Sequence, residues 1–362
     1  MSMSSSKRSA FISPDTPPIM TKKTGQLVTP ALAILSALLI STLFISLSGQ
    51  DPAMIFSKMV HSTIGSSYGT GQVVFRLTTL ILSGLAVAIP YKLRLFNIGA
   101  EGQLLMGAFA AAITGSLIPE TLSPALAIAL CILSAMAAGG CWGLLAGVLK
   151  VQFGVNEVIA TIMLNFIAQG ITGYLLTWHF ALPSTVHTAP IRSAAGIPSI
   201  ESLTGWFANS PANLSLLFSI AAALLFQIIL FRTRFGYEMR AAGLQPEAAR
   251  HAGINAGMHT LIAMGTGGAV AGLGAANIIL GYKHYYESGM TGGIGFTGIA
   301  VALLAGANPV WIICTALFFS SLEYGGLTVN AWVPKDIFMI IEAMTILLVI
   351  SFSALEKQFL NR

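Results

Sequence analysis

The feature that most constrains this chain is the recurrence of apolar runs long enough to cross a bilayer. A lipid core about 30 Å thick needs roughly 20 apolar residues in a helix. Such runs are read at about 27–47, 72–90, 96–118, 124–149, 156–178, 213–231, 258–281, 290–306, 309–322 and 335–352. Composition agrees: 55% of the residues are hydrophobic, 9% are charged and mean hydropathy is +0.80, against about 25% charge in a soluble protein. The expected fold class is therefore all-α: a polytopic helical membrane protein of about ten transmembrane helices. The eighth and ninth runs are short and Gly-rich, so a broken or re-entrant pair is the alternative there.

Three regions follow. Residues 1–26 are rich in Ser, Pro and Lys and read as a disordered cytoplasmic tail. The first apolar run is span length rather than signal length, so it reads as an uncleaved helix. The transmembrane domain occupies 27–353, and 354–362 form a short cytoplasmic C-terminal tail. Threading ten spans from an inside N-terminus leaves 13 of the 18 Lys and Arg residues inside, as the positive-inside rule requires. The net charge of +5 is therefore a topological signal, not a nucleic-acid footprint. Cys131, Cys141 and Cys314 sit in apolar stretches and read as packing residues.

The longest charged interruption is RTRFGYEMRAAGLQPEAARHAG, residues 232–253, between two apolar blocks. It carries Arg232, Arg234, Arg240 and Arg250 with Glu238 and Glu247. Lipid cannot hold it, so it faces water or a partner. Pro246 suits a first helical turn, Glu247 there favours the helix dipole, and Gly253 suits a stop. The prediction is a short helix from Pro246 to Ala252 on the cytoplasmic side.

Polar residues at membrane depth are the candidate path. FNIGAEGQLLMGA places Asn97, Glu101 and Gln103 at the start of the third run. Glu101 reads either as a helix N-terminal charge or as part of a path. GVNEVIATIMLN supplies Asn156 as an N-cap, Glu157 as its dipole partner, and Asn165 as a helix bridge or path residue. Glu342 is mid-span and needs a partner; Arg76 is the basic residue within reach of a span. Tyr282, Tyr285 and Tyr286 read as an interfacial belt or as a stacking surface. Gly292, Gly293, Gly295 and Gly298 read as an unwound helix entry or as tight packing. Trp178, His179 and His187 border the outer loop without metal-ligand spacing.

No GxxxxGK[ST] and no HExxH is present, so neither a P-loop nor a zinc-protease site is encoded. His61 and His259 have no nearby nucleophile or carboxylate in sequence. No cofactor, metal or nucleic-acid partner is expected. A stand-alone secondary transporter would carry ionisable residues in several spans, and here Glu342, Glu101 and Arg76 are the candidates.

FNIGAEGQLLMGA, GVNEVIATIMLN, RTRFGYEMRAAGLQPEAARHAGI and GFTGIAVALLAGANP, in that order, resemble the permease subunits of bacterial ABC importers for simple sugars and nucleosides. The resemblance covers about residues 77–352, and FNIGAEGQ with the basic N-terminal extension is most similar to the nucleoside type. Riboflavin and ribose-type permeases are similar too. The Ala-Gly-Ala-Asn run at 305–308 departs from the family pattern. The resemblance implies the ABC importer permease fold, a cytoplasmic ATPase with two cassettes, a second, paralogous permease and an extracytoplasmic solute-binding protein. A small-molecule solute and the lipid of a bacterial cytoplasmic (inner) membrane complete its expected partners. Gly243, Pro246, Glu247, Ala248, Ala249, Arg250 and Gly253 would form the helix that couples to the ATPase. Asn97, Glu101, Gln103, Asn165 and Phe296 would lie along the solute path.

Overall fold

A computed structural model describes residues 35–351, other than 37, 335, 336, 339, 342, 345, 346, 349 and 350. The expected tails, the start of the first run and Glu342 lie outside the described residues. The described residues form helices and short connecting loops, with three isolated bridges between loops.

The first run is helical over Leu38–Leu47 (α1). After a short break the chain turns by 117° into α2, Pro52–Ile64. None of the apolar runs read from the sequence covers that second segment. Asp51 accepts from Ala53 N at 3.0 Å and Pro52 fills the first turn, so the helix start is well capped. Ile55 and Met59 then pack with Ile45, Val329, Val333 and Phe338.

α3 (Ser67–Tyr91) is the central post. In its most apolar 18-residue window 78% of the residues are buried, against 22% for α5 (Pro124–Phe153), which therefore lies at the outside. α4 (Ala100–Leu117) and α11 (Ala256–Leu273) pack between them. The α5–α11 contact is backbone on backbone. A Cβ on Gly268 would lie 2.2 Å from Gly139 O, and one on Gly143 2.3 Å from Met264 O. In lipid, where burial of apolar surface gives no driving force between helices, such close approach is what holds them.

α6 (Glu157–Leu175) and α11 both run on into wide π turns, Leu176–Phe180 and Ala276–Lys283. A short α7 (Ile200–Thr204) lies in the loop before α8 (Ser215–Arg232). α9 (Arg234–Leu244) and α10 (Pro246–His251) lie between α8 and α11.

The expected eighth and ninth runs are unequal. α12 (Ile294–Leu304) has 11 residues, about 16 Å, and reaches half way across a lipid core. α13 (Pro309–Thr328) has 20 residues and spans alone. It outruns its predicted end because Glu323 meets Arg76 of α3 at 3.5 Å, so the charge does not stop the helix. Arg76 thus has Glu323 as a partner; the expected pairing with Glu342 lies outside the described residues. Among the described residues six helices are long and apolar enough to span, or seven if α1 and α2 form one bent span. The figure of ten is not recovered there: α4 is not among the six, α12 is too short, and half of the last run lies outside the described residues.

Candidate functional site

The site grows from a helix that lacks its own N-cap. α4 starts at Gly99 with no side-chain acceptor for its first N–H groups, which must find partners elsewhere. Asn165, reaching from α6, accepts from Gly102 N at 2.8 Å and donates to Ile98 O at 2.9 Å. Asn97 accepts from Gly99 N at 3.2 Å and donates to Ala86 O at 3.1 Å. Asn97 and Gln103 also close a two-bond ring, 2.9 Å each way. All three amides are buried, so in this conformation they brace the α3–α4 turn and leave little free to face a solute.

Glu101 repeats the pattern one helix further on. α12 also has no side-chain cap of its own. The Glu101 carboxylate accepts from Thr291 Oγ1 at 2.5 Å, Gly293 N at 3.2 Å and Gly295 N at 2.7 Å. It thereby satisfies the positive end of the half-length helix. Gly293 sits at φ 86°, in the left-handed region that glycine adopts without strain. A Cβ on Gly295 would strike the Glu101 backbone at 2.3 Å. Behind it, Ser83 donates to Ile294 O at 3.2 Å. The glycine run is thus an unwound entry to α12 whose N–H groups are held by Glu101. Phe296 leaves this turn exposed, with 45% of its surface accessible.

The structure brings Asn97, Glu101, Gln103 and Asn165 together around the first turns of α4, with Phe296 one turn along α12 from Glu101's partners. It does not group the three tyrosines. Tyr286 is buried, edge-on to Phe109 at 5.1 Å, while Tyr285 lies against His187 at 4.5 Å and Tyr282 against Phe75 at 5.1 Å. One interfacial belt is therefore not what they form, because Tyr286 is folded inward against Thr188, whose Oγ1 accepts from its N–H at 3.0 Å.

A second buried amide cluster lies at the far end of α3 and escaped the sequence reading. Asn277 Nδ2 donates to Phe75 O at 2.8 Å and Thr79 Oγ1 at 2.7 Å; Asn213 Nδ2 donates to Asn277 Oδ1 at 2.9 Å. Its one sequence signal was an asparagine inside an apolar run, AANIIL.

The charged segment folds as two helices rather than one. Thr233 caps α9 by accepting from Gly236 N at 3.2 Å. Arg234 lies 2.7 Å from Glu238 and, through that hydrogen bond, holds its carboxyl below the usual range. Glu238 also meets His259 of α11 at 3.2 Å, and Phe235 stacks on the same imidazole at 5.2 Å. His259 therefore has a carboxylate beside it after all, brought from 21 positions away by the α9 fold. α10 starts at Pro246 with Glu247 in its first turn, as expected, and ends one residue earlier than predicted, at His251. Gly253 follows at φ 80°. Glu247, Ala248 and Arg250 are exposed and Ala249 is buried. Ala248 and Ala249, with exposed Tyr237 and Leu244, line a groove between α9 and α10. Gly243 of α9 lies on the α3–α4 turn: a Cβ there would meet Lys92 O at 2.2 Å.

One segment, Gly65-Ser66-Ser67-Tyr68-Gly69, has the G-x-S-x-G spacing of a nucleophile elbow. It is a helix junction rather than a strand-to-helix turn. Ser66 caps α3 by accepting from Gly69 N at 2.9 Å, and Ser67 accepts from Ala208 N at 3.1 Å.

Comparison with known proteins agrees with this geometry. Residues 69–350 match the family described as branched-chain amino acid transport system / permease component. The chain is 35% identical over 345 residues to the guanosine ABC transporter permease protein NupP of Bacillus subtilis, covering 93% of this chain and 96% of that one. It is 34% identical to the glucose ABC transporter permease protein TsgB13 of Haloferax volcanii, over 89% of this chain and 87% of that one. It is 31% identical to the nucleoside ABC transporter permease protein NupB of Lactococcus lactis subsp. cremoris, over 90% and 91%. A helical bundle of span-length helices, a charged helix pair between two of them and a family match over most of its length lead to one conclusion: this chain belongs to the branched-chain amino acid transport system permease component family, as a membrane permease.

Proposed function

We propose that this chain is the permease subunit of an ATP-driven importer that carries nucleosides across a bacterial cytoplasmic membrane. The carrying observation is the α9–α10 pair: short, charged, with α10 largely exposed, and set between two spans. On this reading α10 docks in a groove of a cytoplasmic ATPase with two cassettes. A second, paralogous permease completes the path, and an extracytoplasmic solute-binding protein delivers the solute. The N- and C-termini are cytoplasmic, in line with the distribution of Lys and Arg.

The contacts supply a route for the coupling. Movement of α10 carries α9, which touches α11 through Glu238 and His259 and the α3–α4 turn through Gly243 and Lys92. That turn is tied by Asn97, Gln103 and Asn165 to the start of α4. Glu101, on the first turn of α4, holds the start of α12. A shift at α10 thus reaches the unwound entry and Phe296 through rigid, discrete contacts. This chain performs no covalent chemistry. Energy arrives through the ATPase.

Two of the three relatives above are named for nucleosides or guanosine, which supports that solute class. A sugar is the second reading, favoured by the glucose permease at 34% identity. Uptake of labelled guanosine and uridine, with and without this chain, decides between them when excess glucose, ribose and riboflavin are added as competitors. Loss of uptake without the chain, unaffected by the competitors, supports the nucleoside reading. Unchanged nucleoside uptake with lost glucose uptake moves it to the sugar. Uptake that persists when the ATPase is removed would identify a stand-alone secondary transporter instead.

A further inference from the structure

Two cations at the α9–α10 end lack a counter-charge among the described residues. Lys92 Nζ lies 5.3 Å from the centre of the Phe231 ring, and Arg240 Cζ lies 5.2 Å from the same ring. Arg240 Nη1 is enclosed with no hydrogen-bond partner among the described residues. Glu157 and Glu238 are committed elsewhere. Glu157 holds Lys150 at 2.8 Å, and Glu238 holds Arg234 at 2.7 Å and His259 at 3.2 Å; Glu247 stands exposed on α10. A ring face eases a cation, but it does not neutralise one. Burial, and then Arg240, push the Lys92 ammonium down to about 8, so this corner lacks negative charge.

The surroundings indicate what supplies it. Leu224, Ile228 and Phe231 are all exposed and lie at i, i+4 and i+7 on α8, which makes one apolar stripe of a membrane span. The stripe ends on the Lys92–Arg240 pair, at the helix end where the bilayer surface meets the protein. Cations at the foot of an apolar stripe match a phosphate attached to acyl chains. A carboxylate from the docked ATPase fits less well, because its contact face is α10 and the stripe would then lead nowhere.

We infer that Lys92 and Arg240 form a binding site for the phosphate of an anionic phospholipid, whose acyl chain lies along Leu224, Ile228 and Phe231. Lys92 O is also the group against which Gly243 of α9 rests, so a lipid held here would steady the coupling helices. The inference does not depend on which solute is carried.

The test is lipid retention by the complete importer. The purified complex is equilibrated with vesicles of phosphatidylcholine and phosphatidylglycerol in equal parts, and the lipids that stay bound are identified by native mass spectrometry. Wild type should enrich phosphatidylglycerol. Lys92→Gln with Arg240→Gln should weaken it by about thirtyfold, about fivefold per cation. Lys92→Arg with Arg240→Lys should keep it, which separates lost charge from lost folding. Equal phosphatidylglycerol retention by the Gln pair would overturn the inference. So would displacement by excess inorganic phosphate, which would mark a free-anion site. Retained lipid with lost ATPase from the Gln pair would assign the cations to the partner protein. If that pair is not recovered in the membrane, Arg240→Gln alone carries the comparison.

Discussion

Two buried amide clusters brace the two ends of α3, and they differ in what they are joined to. At one end Asn97, Gln103 and Asn165 tie the α3–α4 turn to α6, and that turn touches α9. At the other, Asn213 and Asn277 tie α3 to the π turn of α11. Each cluster satisfies its members' polar groups in a dry interior, where an unmet group is costly. The first adjoins the charged helices that would receive force, and the second adjoins the π turn and the start of α8. Similar chemistry can therefore serve coupling at one end and rigidity alone at the other. Glu101 lies next to the first cluster and extends it to the half-length helix.

Four substitutions would break or sharpen this contrast. Glu101→Ala should have the largest effect, because three donors lose their acceptor at once, at about 1–3 kcal/mol each if left buried and unmet. Uptake should fall at least about a hundredfold, with the melting temperature of the purified chain lowered; Glu101→Asp should recover part of both. Asn97→Ala comes next. It should lower stability by about 2 kcal/mol and also reduce solute transported per ATP hydrolysed, measured in proteoliposomes. Asn277→Ala should lower stability by a similar amount, about 2 kcal/mol, yet leave that ratio within about twofold of wild type. Equal loss of coupling in the two Asn variants would erase the distinction. His259→Gln should have the smallest effect. It removes the stack on Phe235 and the ring's contact with Glu238, and should lower coupling by about two- to fivefold, with assembly unchanged.

The parts legible in the sequence were those whose cause is local. Pro246, Glu247 and Gly253 announce α10 because capping, dipole and stop signals act within a few residues. FNIGAEGQ announced a polar helix start for the same reason, although its partner Asn165 belongs to α6. The illegible parts depend on distant partners. α13 passes Glu323 because Arg76, 247 positions earlier, lies beside it. Asn213 and Asn277 sit in ordinary apolar runs until the fold brings them together. α2 was missed because it shows its apolar face only at Ile55 and Met59 over 13 residues, too short for a span. For α12 the glycines were visible, but nothing local showed that Glu101 would take the N–H groups they free.

The central claim is that α10 is the docking helix for an ATPase. The direct measurement is ATPase copurification with the chain carrying Glu247→Arg and Arg250→Glu, beside uptake in the same cells. Docking through α10 requires normal insertion of the chain in the membrane with the ATPase lost or its hydrolysis uncoupled from uptake. Full copurification together with full uptake would contradict it.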